Sequence, residues 1–196
     1  MSTGHDANLF LSGDFATGST LTAEEFLNYP AEGRRLELVA GEVKEMSPAG
    51  FDHGEVMIQL GALLKAAAKK HRAGRVCGGD VGFVLARNPD TVLAPDIAFV
   101  RAGRIPASGW PRFVDGAPEI AVEIVSPSDR PAEIEAKARH WIGCGTKLVW
   151  VVDAMRQTIA VYHAGGERHS ITIEGTLDGG EVLPEFSATL RDIFEC

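Results

Sequence analysis

Ile120-Ala121-Val122-Glu123-Ile124-Val125, then Ser126-Pro127-Ser128-Asp129, a helical stretch from Pro131 to Ile142, and Leu148-Val149-Trp150-Val151-Val152 form the segment whose reading decides the fold. Two short β-branched apolar runs flank a helix with Ile134, Ala138 and Trp141 at three- and four-residue spacing. Strand, helix and strand in that order predict parallel strands joined by a helical crossover, with Leu148–Val152 buried on both faces. The exception inside the first run is Glu123. An ionised carboxylate among apolar neighbours costs several kcal/mol or more unless it has a partner, so one is expected nearby.

Upstream, Ala94-Pro95-Asp96-Ile97-Ala98-Phe99-Val100 reads as another strand, its alternation placing Asp96 with Ala98 and Val100 and opposite Ile97 and Phe99. A strand is also expected over Val76–Leu85, joined to this one through the turn residues Asn88-Pro89-Asp90. Pro89-Asp90 reads as turn chemistry, leaving Asp96 as the functional aspartate. Before these strands, Val56, Leu60, Leu63, Leu64 and Ala67 mark an amphipathic helix from about His53 to Arg72, stopped by Gly74.

Further out, Thr22 and Glu25 have capping-box spacing, predicting a short helix over Ala23–Tyr29. Leu36–Val39 and Glu42–Met46 form a hairpin around Ala40-Gly41, and Thr158–His163 with His169–Glu174 form a second. A short helix near Ala188–Phe194 closes the chain. The order predicts an α/β fold with a mixed central sheet flanked by helices, with hairpin additions near both ends. At 196 residues one domain is expected, over residues 19–196, preceded by a mobile tail over 1–18.

Lys137 is three residues after Ile134 and four before Trp141, so it borders the sheet-facing stripe of its helix, while Glu135, Arg139 and His140 supply the exposed charge. Two carboxylates and an ammonium in apolar surroundings can be a structural ion pair. They can equally be a site, because side chains from neighbouring strands converge and oxygen ligands suit Mg2+ or Mn2+. Glu37 alternates with Leu36 and Leu38 and points to the site or to water, and His53 is a ligand, a substrate contact or part of a helix start. Glu42 flanks the same hairpin. Ser126 lacks the Gly-x-Ser-x-Gly context of a serine hydrolase, and Ser126 and Ser128 are expected to cap the next helix or support the loop.

Composition narrows the setting. With 45% hydrophobic and 23% charged residues the chain is ordinary for a soluble protein. The first residues lack a secretory pattern, and no apolar run approaches the roughly 18 residues that span a bilayer, so a cytoplasmic protein with no membrane partner is expected. Cys77, Cys144 and Cys196 have no paired spacing and are expected to be reduced thiols. A net charge of −8 opposes nonspecific DNA affinity, although Lys65, Lys69, Lys70, His71, Arg72 and Arg75 could form a local positive face.

Leu36-Glu37-Leu38-Val39-Ala40-Gly41-Glu42, His53 at a helix start, Pro95-Asp96, Glu123-Ile124-Val125-Ser126-Pro127-Ser128, Lys137, and Gly145 before Val149-Trp150-Val151-Val152-Asp153 resemble, in order and spacing, the Uma-type restriction endonucleases. That family is a branch of the PD-(D/E)XK nuclease-like superfamily, and the resemblance runs from about Leu21 to Phe194. It implies a restriction-endonuclease-like core and metal-assisted hydrolysis of phosphodiesters in DNA. Asp96, Glu123 and the Ile124 carbonyl would hold Mg2+ or Mn2+, and Asp96, Glu123 and Lys137 would be catalytic. Val125 stands where the superfamily has its strand lysine, and in this branch the helix position of Lys137 takes over. The substitution also leaves open a nuclease-fold module without activity, binding nucleic acid or a protein partner. A homodimer is plausible for cutting two strands.

Overall fold

In a computed structural model, residues 20–110 and 112–195 are described; the expected tail over 1–18 lies outside them. Helix α1, Ala23–Leu27, starts at the capping box, with Thr22 Oγ1 accepting from the Glu25 N–H and the Glu25 carboxylate accepting from the Thr22 N–H at 2.8 Å. Strands β1, Arg35–Val39, and β2, Glu42–Met46, form the expected hairpin. Its turn needs positive φ at both central residues, which Ala40 (51°) and Gly41 (81°) adopt. Helix α2, Phe51–Lys70, buries Val56, Leu60, Leu64 and Ala68.

The strand expected over Val76–Leu85 divides in two, β3, Gly74–Gly78, and β4, Phe83–Ala86, which belong to different sheets. The strand expected over Ala94–Val100 starts later, as β6, Ile97–Arg101, and a short strand not expected from the sequence, β5, Thr91–Leu93, precedes it in the smaller sheet. The Asn88–Asp90 turn therefore joins β4 to β5. The passage between the two sheets and back has local causes. Gly78, Gly79 and Gly82 bend the chain out of one sheet, and Pro95, without an N–H to give a ladder, marks its return. Asp96 sits at that return. Gly74 opens β3 instead of stopping α2, and a side chain there would collide with the Val100 carbonyl and the Phe99 ring.

After a short 3-10 turn at Ala102–Arg104 come β7, Val114–Asp115, and β8, Ile120–Ile124. Helix α3, Pro131–Gly143, leads to β9, Leu148–Asp153. Its N-cap is Arg130 with no side-chain cap bond. The preceding loop is held instead by Asp129, which accepts from the Ser126 N–H at 2.7 Å. Strands β10, Thr158–His163, and β11, Arg168–Ile171, follow, then a hairpin not expected from the sequence, β12, Thr176–Gly179, with β13, Leu183–Thr189, and helix α4, Leu190–Phe194.

The six-stranded sheet runs β11-β10-β9-β8-β6-β3, mixed because β8 and β9 are parallel across α3, and the five-stranded sheet runs β2-β1-β5-β4-β7. One face of the larger sheet, with Ile97, Phe99, Val122, Ile124, Trp150 and Val152, packs on α2, α4 and β13. The other, with Ala98, Ala121, Val149 and Val151, meets Ala138 and Trp141 of α3 and Phe83 and Leu93 of the smaller sheet. Cys77 and Cys144 are free thiols. Among the described residues no helix is long and apolar enough to cross a membrane.

Candidate active site

Antiparallel pairing of β6 with β8 sets Ile97 against Val122, so one step further along the register Asp96 stands across from Glu123. Each carboxylate is only 5% exposed. The Asp96 Oδ2 accepts from the Ile124 N–H at 2.8 Å and lies 3.2 Å from His53 Nε2, while Oδ1 accepts from Arg35 at 3.2 Å. Burial alone would raise this carboxyl. The hydrogen bonds from His53 and Ile124, with the Arg35 charge, outweigh it and hold Asp96 below the usual carboxylate range.

Glu123 lies under α3. Trp141 Nε1 donates to its Oε1 at 2.7 Å, and Lys137 Nζ is 3.1 Å from its Oε2. Lys137 also donates to Glu37 Oε1 at 3.0 Å, and the same Glu37 oxygen accepts from the Ala94 N–H. Burial opposes the Lys137 charge, but the two carboxylates more than compensate and push its ammonium above the ordinary lysine range. Glu123 fares differently. Burial, and the charges of Asp96 and Glu37 against relief from Lys137 and Trp141, push it up to about 7.

The fold thus brings together Asp96, Glu123, Lys137, Glu37 and His53, with Ile124 joined through its N–H. Glu42 is exposed and pairs with Lys44. Asp90 is buried in its turn, accepting from the Asn88 and Ala23 N–H groups. The basic cluster lies at the other end of α2, where Lys65, Lys69, Arg72 and Arg75 line a groove of about 630 Å3. Arg35 and the indole of Trp141 were not anticipated at the site. For Arg35 a signal existed, since it shares a strand face with Glu37; for Trp141 the helix stripe gave burial but not the hydrogen bond.

Among the described residues, no three of His, Cys, Asp and Glu converge as a ready-made ligand cluster. Mg2+ needs less, one or two carboxylates and its own waters. The donor chemistry suits such an ion: three buried carboxylates, Asp96, Glu123 and Glu37, face two cations, Arg35 and Lys137, one positive charge short of balance.

A mixed sheet with one helical crossover, carrying carboxylates at the adjoining ends of two neighbouring strands, defines a restriction-endonuclease-like α/β protein. The chain belongs to the Uma2 family, described as "Putative restriction endonuclease", which it matches over residues 23–191. It shares its fold with a crystal structure from Anabaena variabilis ATCC 29413, described as a "putative nuclease belonging to DUF820". The TM-score is 0.78 at 21% identity, covering 89% of this chain and 97% of that one. No curated protein matches.

Proposed function

We propose that this protein is a divalent-metal-dependent endonuclease hydrolysing phosphodiester bonds in DNA, with Asp96, Glu123 and Lys137 as its catalytic residues. The observation that carries the proposal is the Lys137 ammonium, 3.1 Å from Glu123 on the strand neighbouring Asp96. A lysine on α3 would then take the part of the strand amine that Val125 lacks. Asp96, Glu123 and the Ile124 carbonyl would hold Mg2+ or Mn2+, which when bound polarises the scissile phosphate and acidifies a water.

The chain's own groups have separable parts in this scheme. Lys137 keeps its proton, because Glu123 and Glu37 stabilise its charge, so it acts on developing negative charge or orients a water and is not a general base. Glu37, fixed by the Ala94 N–H, aims the ammonium. His53 and the Ile124 N–H orient Asp96. Cutting both strands of a duplex takes two such sites, so a homodimer on DNA is part of the proposal.

A second reading, a nuclease-fold module without turnover that binds nucleic acid or a protein partner, draws on Val125 and on carboxylates already paired to Arg35 and Lys137. Plasmid and single-stranded DNA incubated with Mg2+ separate the two. The proposal expects cleavage by wild type, abolished by a chelator and by Asp96→Ala. Equal turnover by wild type and Asp96→Ala, or none by wild type with Mg2+ or Mn2+, rejects it.

A further inference from the structure

The two cations of the site differ in what they leave free. Lys137 is enclosed between Glu37 and Glu123, its side chain 18% exposed, whereas the Arg35 side chain is 31% exposed and stands at the rim. Its guanidinium makes two single contacts, Nε to Asp80 Oδ1 and Nη2 to Asp96 Oδ1, each at 3.2 Å. Neither carboxylate takes the planar fork as a bidentate pair, and Nη1 has no partner among the described residues. Asp80 is itself exposed, in the glycine-rich segment where the chain leaves the six-stranded sheet. Asp96 Oδ2 is already engaged by His53 and the Ile124 N–H, so Asp96 offers the fork only Oδ1 and Nη1 is left over for another oxygen ligand.

We infer that Arg35 is the phosphate clamp of this site: its free Nη1 and the outer N–H of Nη2 bind non-bridging oxygens of the DNA backbone, while Asp80 holds the guanidinium in place. The inference rests on the phosphodiester reading above. It assigns Arg35 two opposed effects. Its charge competes with a metal for Asp96, and its fork attracts the phosphate. An arginine is suited to this because the planar donors match a phosphate and the charge is permanent; a lysine keeps the charge and loses the fork.

The test uses full-length wild type, Arg35→Met and Arg35→Lys, each first shown by thermal unfolding to be folded. Mn2+ affinity is read by calorimetry without DNA, and affinity for a labelled duplex by fluorescence anisotropy with Ca2+ as a non-cleaving ion. Arg35→Met is expected to bind Mn2+ at least threefold tighter, as removal of a neighbouring positive charge requires, and the duplex about 10- to 100-fold more weakly, roughly the worth of hydrogen bonds to a charged group. Arg35→Lys should return Mn2+ affinity towards wild type without restoring the duplex. Unchanged duplex affinity in Arg35→Met, or full recovery in Arg35→Lys, overturns the clamp. So does weaker Mn2+ binding in Arg35→Met, the mark of an arginine that merely organises Asp96. If wild type cuts DNA and Arg35→Met binds it normally, the clamp fails alone. If wild type never cuts yet the duplex affinities separate as described, endonuclease activity fails and the clamp stands.

Discussion

Lowering the pH from 8 to 6 should weaken Mn2+ binding about tenfold, and the cause lies in one side chain. Glu123 is pushed up to about 7 by burial and by the charges of Asp96 and Glu37, against the pull of Lys137 and Trp141. An ion bound at its carboxylate must displace the proton. With a pKa about 7, roughly nine-tenths of Glu123 is ionised at pH 8 and roughly one-tenth at pH 6, a difference of about 1.4 kcal/mol in binding. Asp96, held below the usual range, is ionised at both ends and adds nothing. Calorimetry in two buffers of different ionisation enthalpy counts the protons, and close to one should be released per ion at pH 6 and close to none at pH 8. In Glu123→Gln binding should be weaker and flat over this interval. Equal wild-type affinity at pH 6 and 8, with no proton released at pH 6, would mean that Glu123 does not take up the ion in place of a proton. The same shift acts on metal-free stability with a definite sign. A carboxyl raised on folding stabilises the protein fully below its unfolded value near 4.5, and that contribution fades as pH rises through about 7.

Other perturbations test the framework around that carboxylate. Ile124 is buried in the cluster under α2, so Ile124→Ala should cost about 2–5 kcal/mol in denaturant unfolding, and a loss below about 0.5 kcal/mol would contradict its place in the core. Lys137→Met keeps the apolar stem and removes the ammonium, so it should abolish DNA cleavage while leaving the chain folded. Val125→Lys added to Lys137→Met should restore part of the rate. Cleavage by Lys137→Met at the wild-type rate would remove the lysine from the mechanism.

What the sequence made legible follows from how far each signal reaches. Glu123 between Val122 and Ile124 announces itself because local alternation predicts burial and burial demands a partner. Lys137 does so because Ile134 and Trp141 define the stripe it borders. Thr22 with Glu25 fixes a helix start within four residues. The Val76–Leu85 stretch misled because Phe83-Val84-Leu85 continues the apolar run while the glycines between Cys77 and Phe83 turn it into a second sheet; hydrophobicity does not record a change of sheet. The β12–β13 hairpin escaped for a related reason, its strands Thr176–Gly179 and Leu183–Thr189 showing only short alternation around Gly179-Gly180. Arg35 meets Asp96 across 61 positions, and Glu37 meets Lys137 across 100, so periodicity could raise Glu37 and His53 as candidates but could not bring them to the carboxylates.

The most direct measurement is anomalous diffraction from a crystal soaked in Mn2+. A peak is expected between the carboxylates of Asp96 and Glu123, with the Ile124 carbonyl facing it and Arg35 drawn off Asp96. No peak there in a fully soaked crystal, with Arg35 still on Asp96 and Lys137 still on Glu123, would contradict the metal-centred site.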